Sequence, residues 1–259
     1  MLYRISYILI ILFVLAGCAG GQRYMRRLSS EAKWANAERH FNNGRYNRAI
    51  PYYQQLVFER SSIHVAEAQF RLGECYFLRR GRDNFVDAIF EYQEFLRLFP
   101  DHRLSADAQF RIGEAYVRLS LQPELTQDES HRAIENFLRF IEKYPQDPRV
   151  PEAIRHINDM QIKQLEKIYL TGYIYYKMKD FPASQLYLNQ IIRLGNRDDL
   201  ERRAVFFSAL IHIQRKEAEE AMVFIEHLRQ HFPGSRETRR AESRFRRMNN
   251  IFYRLYYSL

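Results

Sequence analysis

The sequence predicts an all-α fold in which about five helical hairpins stack as a solenoid. Its 259 residues include only 10 glycines and 8 prolines, so few positions interrupt helices. The phrase AQFRLGECY, which begins at Ala68, returns forty residues later as AQFRIGEAY from Ala108. A small residue followed by large apolar residues at offsets 4 and 7 also recurs along the chain. These offsets lie on one face of a helix, so the pattern indicates repeated helices that bury the same face.

The second helix of each predicted pair carries this pattern. The five sets are Ala49/Tyr53/Leu56, Ala88/Tyr92/Phe95, Ala133/Phe137/Phe140, Ser184/Leu188/Ile191 and Ala221/Ile225/Leu228. In three of the five, a proline twelve residues after the alanine predicts the end of the helix, namely Pro100, Pro145 and Pro233.

The first helix of each pair places a small residue one turn before an aromatic one, as in Gly73/Tyr76, Gly113/Tyr116 and Gly172/Tyr175. A small residue allows the two helices to approach closely. The hairpin unit resembles the tetratricopeptide repeat, which combines these features. Five copies are predicted over residues 31–235, with a long helix from about Val150 leading into the fourth.

The two ends of the array need capping. At the front, the polar residues Lys33 and Asn36 are expected where no repeat stacks ahead. At the back, residues 236–259 form a predicted basic amphipathic helix, whose apolar stripe consists of Phe245, Met248, Phe252, Leu255 and Leu259. The stripe is expected to cover the last repeat as a capping helix, although contact with a partner helix is the alternative.

The first 17 residues are typical of a secretory signal peptide, with Arg4 followed by an apolar run and small residues. Leu15, Ala16, Gly17 and Cys18 resemble the lipobox of bacterial lipoproteins. That resemblance implies cleavage before Cys18 and covalent lipid on Cys18, and Ala19 after it favours the outer membrane. The alternatives are a plain signal peptide or an uncleaved anchor. Residues 18–30 then form a lipidated basic linker.

The charge distribution argues against nucleic-acid binding. The formal net charge is +9, but it is concentrated in the linker and in residues 236–254, which hold seven arginines against two glutamates. Residues 31–235, which lie between these two basic segments, are neutral overall and lack the basic groove that nucleic-acid binding requires. The basic ends suit an anionic membrane surface, or are a solvated helix face. With Cys18 acylated, Cys75 has no disulfide partner and is expected to be a small buried residue.

Side chains left free by the stacking pattern form a predicted ladder on the first helices of copies one to three. Acid, aromatic, acid and apolar residues follow at offsets 0, 3, 7 and 10, which form one helical stripe. The ladder comprises Glu31, Trp34, Glu38 and Phe41 in copy one, Glu67, Phe70, Glu74 and Phe77 in copy two, and Asp107, Phe110, Glu114 and Val117 in copy three. It is predicted to bind a partner segment. The alternative is that the aromatics are stacking residues and the acids a solvated face.

No enzymatic function is predicted. The sequence contains no phosphate-binding loop, no Gly-x-Ser-x-Gly elbow and no Cys-x-x-Cys pair. His227 and His231 are four residues apart but lack a third ligand in sequence, so they are interpreted as surface histidines. Acids repeated once per hairpin favour recognition over acid–base catalysis, which uses unequal pairs. No catalytic residue, metal or cofactor is expected apart from the covalent lipid on Cys18.

Residues 15–235 resemble the BamD family, the lipoproteins of the outer-membrane β-barrel assembly (BAM) complex. The resemblance lies in the stretch that starts AIPYYQQLVFERSSIH at Ala49, in DAIFEYQEFLRLFPDHRLSADAQFRIGEAY from Asp87, and in residues 133–192. Within the last, a long helix leads to a Tyr-Tyr-Lys turn, and the loop before Ala133 matches a family insertion. The fifth copy and the basic tail depart from the family.

The resemblance implies a non-enzymatic scaffold, anchored by lipid to the periplasmic face of the outer membrane. Its C-terminal repeats would bind BamA, alongside other BAM subunits. Its N-terminal repeats would recognise the C-terminal strand of unfolded outer-membrane β-barrel proteins before their folding and insertion. Two alternatives remain, a periplasmic repeat lipoprotein or adaptor of envelope division or pilus assembly, and a glycan-binding repeat lipoprotein.

Overall fold

The computed structural model describes residues 27–59 and 62–256, with side chains up to residue 249. The described residues contain eleven helices and no strand. The helices are α1 (Ser30–Asn42), α2 (Tyr46–Phe58), α3 (Val65–Arg79), α4 (Arg82–Leu98), α5 (Ser105–Leu119), α6 (Asp128–Lys143), α7 (Val150–Met178), α8 (Phe181–Ile192), α9 (Asp199–Arg215), α10 (Ala218–His231) and α11 (Arg236–Tyr256). The all-α tetratricopeptide-type architecture of five helix pairs and a capping helix is therefore confirmed. The predicted signal peptide 1–17, Cys18 and most of the basic linker lie outside the described residues.

The chain divides into two compact units. Of the described residues, unit one comprises 27–59, 62–120 and 128–157, and unit two comprises 121–127 and 158–256. Helix α7 is 29 residues long and begins at Val150, as predicted, and it contributes residues to both units. No helix within the described part of the chain combines the length and hydrophobicity needed to cross a bilayer.

The predicted core pattern of the second helices is confirmed. All members of the five sets, from Ala49 to Leu228, are at most 2 % exposed. The spacing of 0, 4 and 7 places them on one side of each helix, toward the first helix of the pair. Helices α4, α6 and α10 end two residues before Pro100, Pro145 and Pro233, which confirms the predicted stop.

Close approach within the second and third pairs depends on the glycines of their first helices. A Cβ added at Gly73 would lie 2.6 Å from Cε1 of Tyr92, and one at Gly113 would lie 2.8 Å from the ring of Phe137. Real side chains do not tolerate such distances, so these positions bring an aromatic ring of the second helix directly against the backbone of the first.

Lys33 departs from the expectation for a free end. Its side chain is only 2 % exposed, and its ammonium group forms an ion pair with Glu59. Ser30 Oγ also donates to the Glu59 carboxylate at 3.2 Å. The methylene stem of a lysine packs well against apolar neighbours when a carboxylate neutralises its end. The first hairpin is therefore closed by an ion pair whose lysine is buried, where the sequence predicted an exposed polar edge.

Cys75 is a fully buried free thiol, as predicted. Burial, reinforced by the nearby Glu74 carboxylate, raises the pKa of Cys75 to about 12. The thiol is therefore protonated at neutral pH and acts as a small apolar side chain of α3.

Helix α11 caps unit two. It packs against α9 and α10, where Thr238 and Ala241 are buried and Phe245 contacts the apolar cluster. This confirms the capping role for the described part of the helix. Met248 is half-buried, and the side chains of Phe252, Leu255 and Leu259 lie outside the described residues.

Candidate partner-binding groove

The structure places the predicted ladder on α1, α3 and α5, the first helices of three successive pairs in unit one. Its members differ in exposure. Phe70, Phe77, Phe110 and Glu74 are buried, Glu31 is exposed, and the half-buried members are Trp34, Glu38, Phe41, Glu67, Asp107, Glu114 and Val117. The apolar rungs are therefore less accessible than the acids.

The aromatic rungs pack against their own second helices. Phe70 meets Phe95 edge-on at 5.7 Å between ring centroids, and Phe110 meets Phe140 in the same way at 5.2 Å. Trp34 meets the ring of Tyr53 on α2 edge-on at 5.8 Å, and it also stacks at 4.8 Å on His64, which precedes α3. Such contacts contribute packing energy within each pair. Phe70 and Phe110 are thus mainly core residues, and only their edges are available to a ligand.

Part of the ladder comes together in one cavity of about 440 Å³ in unit one. We call it the acidic groove. Its lining residues are Phe70, Glu74, Asp107, Phe110, Arg111, Glu114, Arg149 and Glu152. Five of these were predicted from the ladder, and the two phenylalanines form the floor. The other predicted members, Glu31, Trp34, Glu38, Phe41, Glu67, Phe77 and Val117, do not line it.

A charged triad repeats between neighbouring pairs and includes residues that the sequence interpretation missed. In the first triad, the Tyr53 hydroxyl donates to Glu38 at 2.5 Å and Arg71 Nε donates to the same carboxylate at 3.1 Å. In the second triad, the Tyr92 hydroxyl donates to Glu74 at 2.5 Å and Arg111 Nε donates to the same carboxylate at 2.9 Å. The two arginines occupy the same position of the repeated phrase, FRLGE and FRIGE, so the repetition itself was the available signal.

Each arginine of a triad also covers an aromatic ring of the preceding repeat. The guanidinium of Arg71 lies 4.7 Å from the ring centroid of Phe41, and that of Arg111 lies 4.9 Å from Phe77. Cation–π contacts and charge-assisted hydrogen bonds act together here. The arginines therefore bind successive helix pairs to each other.

The second triad is internally neutralised. Although burial lowers it, the pKa of Arg111 is raised overall by the carboxylates of Glu74 and Glu114. Burial and the Glu74 carboxylate raise the pKa of Tyr92 well above its usual value. Glu74 therefore serves the packing of two pairs, and it is not free to bind a cationic ligand.

Arg149 closes one side of the acidic groove. It donates to Asp107 at 2.6 Å and to Asp147 at 2.7 Å, and its guanidinium lies 5.1 Å from the Phe110 ring. The hydrogen bonds from Arg149 hold the pKa of Asp147 below its usual value. Among the acids of the groove, Glu152 retains the most freedom to meet a ligand, because its side chain is 44 % exposed and has no arginine partner among the described residues.

Two other features lie apart from the acidic groove. An opening of about 740 Å³ in unit one is bordered by exposed apolar residues, including Phe58 and Phe90. In unit two, His227 Nε2 lies 2.8 Å from the buried carboxylate of Glu201, and the rings of His227 and His231 are 4.6 Å apart. His227 is thus half-buried and hydrogen-bonded, not simply a surface residue as interpreted from the sequence.

Comparison with known families identifies the class of protein. Two family models, both described as tetratricopeptide repeat, match residues 35–101 and residues 107–147. These residues hold most of α1 to α6 and six of the eight residues that line the acidic groove, whereas Arg149 and Glu152 follow them. The first three hairpins are therefore similar to tetratricopeptide repeats, which are typical of protein-interaction scaffolds.

Several solved structures are similar to this chain. The TPR2AB-domain:pHSP90 complex of yeast Sti1 shares 14 % identity, with 88 % of this chain and 86 % of that chain covered and a TM-score of 0.44. A tetratricopeptide repeat protein from Parabacteroides merdae shares 12 % identity over 85 % and 73 % of the two chains, with a TM-score of 0.36. The MamA protein shares 17 % identity over 78 % and 91 %, with a TM-score of 0.35. No curated protein matches the sequence.

Proposed function

We propose that this protein is an outer-membrane lipoprotein scaffold of the β-barrel assembly complex. Its repeats would bind BamA and recognise unfolded outer-membrane proteins for folding and insertion. The observation that carries the proposal is the acidic groove, in which equivalent residues of successive tetratricopeptide pairs face one cavity. The sequence resemblance to the BamD family supplies the particular machinery.

A non-enzymatic role is part of the proposal. Three of the four acids of the groove, Glu74, Asp107 and Glu114, are held by Arg111 and Arg149 in ion pairs with distances of 2.6–2.9 Å. Carboxylates neutralised in this way serve binding and packing, whereas acid–base catalysis requires groups with separated proton affinities.

Recognition would use the half-buried acids along the groove. Asp107 and Glu114 stand one on each side of the buried Phe110 on α5, and Glu152 on α7 completes that side. An extended segment could place backbone N–H groups or a cationic side chain against these carboxylates, with apolar groups over the Phe edges. Because the rings are mostly covered, the acids would contribute more to selectivity than the aromatics.

Attachment to the membrane would use lipid on Cys18. Acyl chains contribute about 0.8 kcal/mol per buried methylene, so more than one chain makes the anchor stable. The basic residues that follow Cys18 would add attraction to anionic headgroups.

Purification of the acylated full-length chain from solubilised cell envelopes is expected to enrich a large outer-membrane β-barrel protein with periplasmic repeats, the BamA type. A Cys18→Ser variant should lose membrane anchoring in cell fractionation, since it cannot be acylated, yet still bind that protein. Enrichment of division or pilus components in place of a β-barrel protein would contradict the proposal.

A photo-crosslinking amino acid at position 107 is expected to capture nascent outer-membrane proteins, because Asp107 lies on the groove. The matched control position is Glu142, an exposed residue on the last turn of α6. Mass spectrometry of the crosslinked products should find β-barrel proteins at position 107 only. Equal capture at both positions would show that the groove does not recognise them.

A further inference from the structure

The charged triad has a third occurrence in unit one, and there its composition changes. Aligning the repeats FPDHRLSADAQFR and YPQDPRVPEAIRH places His156 at the position of Arg111 and Glu152 at that of Asp107. In the second helix, Phe137 stands where the earlier triads have Tyr53 and Tyr92. The acid itself is retained as Glu114. The third triad therefore keeps its carboxylate but lacks both the tyrosine hydroxyl and the arginine of the next repeat.

The three polar groups of this triad converge. One oxygen of Glu114, one of Glu152 and a ring nitrogen of His156 all lie within 4.8 Å of one another. Glu152 and His156 are four residues apart on α7 and so share a helix face, and Glu114 comes from α5. The distance from His156 Nε2 to Glu152 Oε1 is 3.9 Å.

The imidazole of His156 is held by stacking on an aromatic ring, and its nitrogen Nε2 has no hydrogen bond among the described residues. Its ring stacks on Phe137 at 5.0 Å, with the planes 12° apart. His156 Nε2 is shielded from solvent, and it has no hydrogen-bond partner among the described residues. A shielded and unsatisfied nitrogen beside two carboxylates is costly, and in native proteins such a group usually has a partner.

We propose that Glu114, Glu152 and His156 form a binding site for a divalent transition-metal ion of the Zn²⁺ class. One imidazole nitrogen and two carboxylate oxygens suit this ion, with water as a fourth ligand. Ligands about 2.0–2.2 Å from a tetrahedral zinc ion lie roughly 3.4 Å apart. The observed separations, which reach 4.8 Å, therefore need to close by up to about 1.4 Å, and rotation of the two glutamate side chains supplies this movement.

The surrounding charges permit a cation. The acidic groove has four carboxylates against two guanidinium groups. Arg111 forms ion pairs with Glu74 at 2.9 Å as well as with Glu114 at 2.8 Å, and Arg149 is held by Asp107 and Asp147. Glu152 has no arginine or lysine partner among the described residues, and its side chain is 44 % exposed. The metal would neutralise Glu152, since Glu74, Asp107 and Glu114 of the groove already pair with arginines.

Zinc binding to the untagged full-length chain tests the site. Isothermal titration with Zn²⁺ is expected to show one ion bound per chain, with a rise in the thermal midpoint on addition of the ion. The His156→Arg variant restores the arginine of the earlier triads, so it should fold normally while losing roughly tenfold or more in zinc affinity. Glu152→Gln should also weaken binding. Titration with Co²⁺ should produce visible absorption bands in the wild-type chain and not in His156→Arg.

His231→Ala is the matched control, because it disrupts the closely spaced pair of His227 and His231 while leaving Glu114, Glu152 and His156 intact. Binding should be unchanged in this variant. The proposal is overturned if the wild-type chain shows no saturable zinc binding, if His156→Arg binds zinc as well as wild type, or if only His231→Ala abolishes binding. Circular dichroism of each variant ensures that a loss of binding is not a loss of fold.

Discussion

Replacement of Arg111 by methionine is expected to lower the free energy of unfolding by about 3 kcal/mol. The substitution leaves Glu74, only 7 % exposed, without the guanidinium that neutralises it. Removal of one partner from a buried ion pair strands a charge in a medium of low polarity, and Tyr92 alone does not replace the lost charge. Because Arg111 is itself one-third exposed, the expected loss is at the lower end for such pairs. Urea denaturation of the variant and the wild type measures it.

Two comparison variants separate charge from packing. Adding Glu74→Gln to Arg111→Met should recover much of the lost stability, since the stranded charge is then gone. Arg71→Met in the first triad should cost less, because the Glu38 side chain is 22 % exposed and that of Glu74 only 9 %. If the two arginine variants are equally destabilised, burial of the carboxylate is not the cause.

Gly113→Ala is expected to destabilise the chain by about 2 kcal/mol, despite the better helix propensity of alanine. The new methyl group would lie 2.8–2.9 Å from three ring carbons of Phe137. Phe137 is fully buried, so its ring cannot move aside, and α5 and α6 must separate. Thermal and urea denaturation would detect the change.

A smaller residue at position 137 tests whether the clash with Phe137 causes this loss of stability. In a Phe137→Leu background, the cost of Gly113→Ala should fall below about 1 kcal/mol, because the clash is relieved; such coupling is expected for residues in contact. If the Gly113→Ala variant is as stable as wild type, or if the substitution costs the same free energy in both backgrounds, the close approach at Gly113 does not determine stability.

These variants also bear on the groove. Arg111 contacts Glu74 on α3 and Glu114 on α5, so it sets the spacing of carboxylates from two successive pairs. A groove that is shaped before its ligand arrives loses less conformational entropy on binding. Loss of Arg111 should therefore weaken both the fold and the recognition of a partner segment.

Local sequence patterns were sufficient to predict much of the helical architecture. The sets that begin with Ala49, Ala88 and Ala133 specified buried helix faces, and each proved to be buried. Prolines predicted where helices end, and glycines predicted where pairs approach. These features depend on the period of the helix and on side-chain size, both of which are properties of short segments.

The nature of the groove did not follow from the same patterns. A helical stripe shows which residues share a face, but not how deeply a neighbouring helix covers them. Phe70 and Phe110 were expected to meet a ligand and instead pack mostly into their own pairs, whereas the predicted binding role of the ladder stays a prediction. Lys33 was expected at an open edge, yet Glu59 neutralises it in a buried position.

The sequence by itself determined the helical repeat, its number of copies and the faces that become buried, because each is encoded in periodic spacing along one chain segment. Only the tertiary structure decided which charges meet. Arg111 is 37 residues from Glu74, and Glu114 is far in sequence from His156, so their pairing depends on the stacking of whole hairpins. Electrostatic contacts act over a few ångströms in space, and no spacing within one helix specifies them.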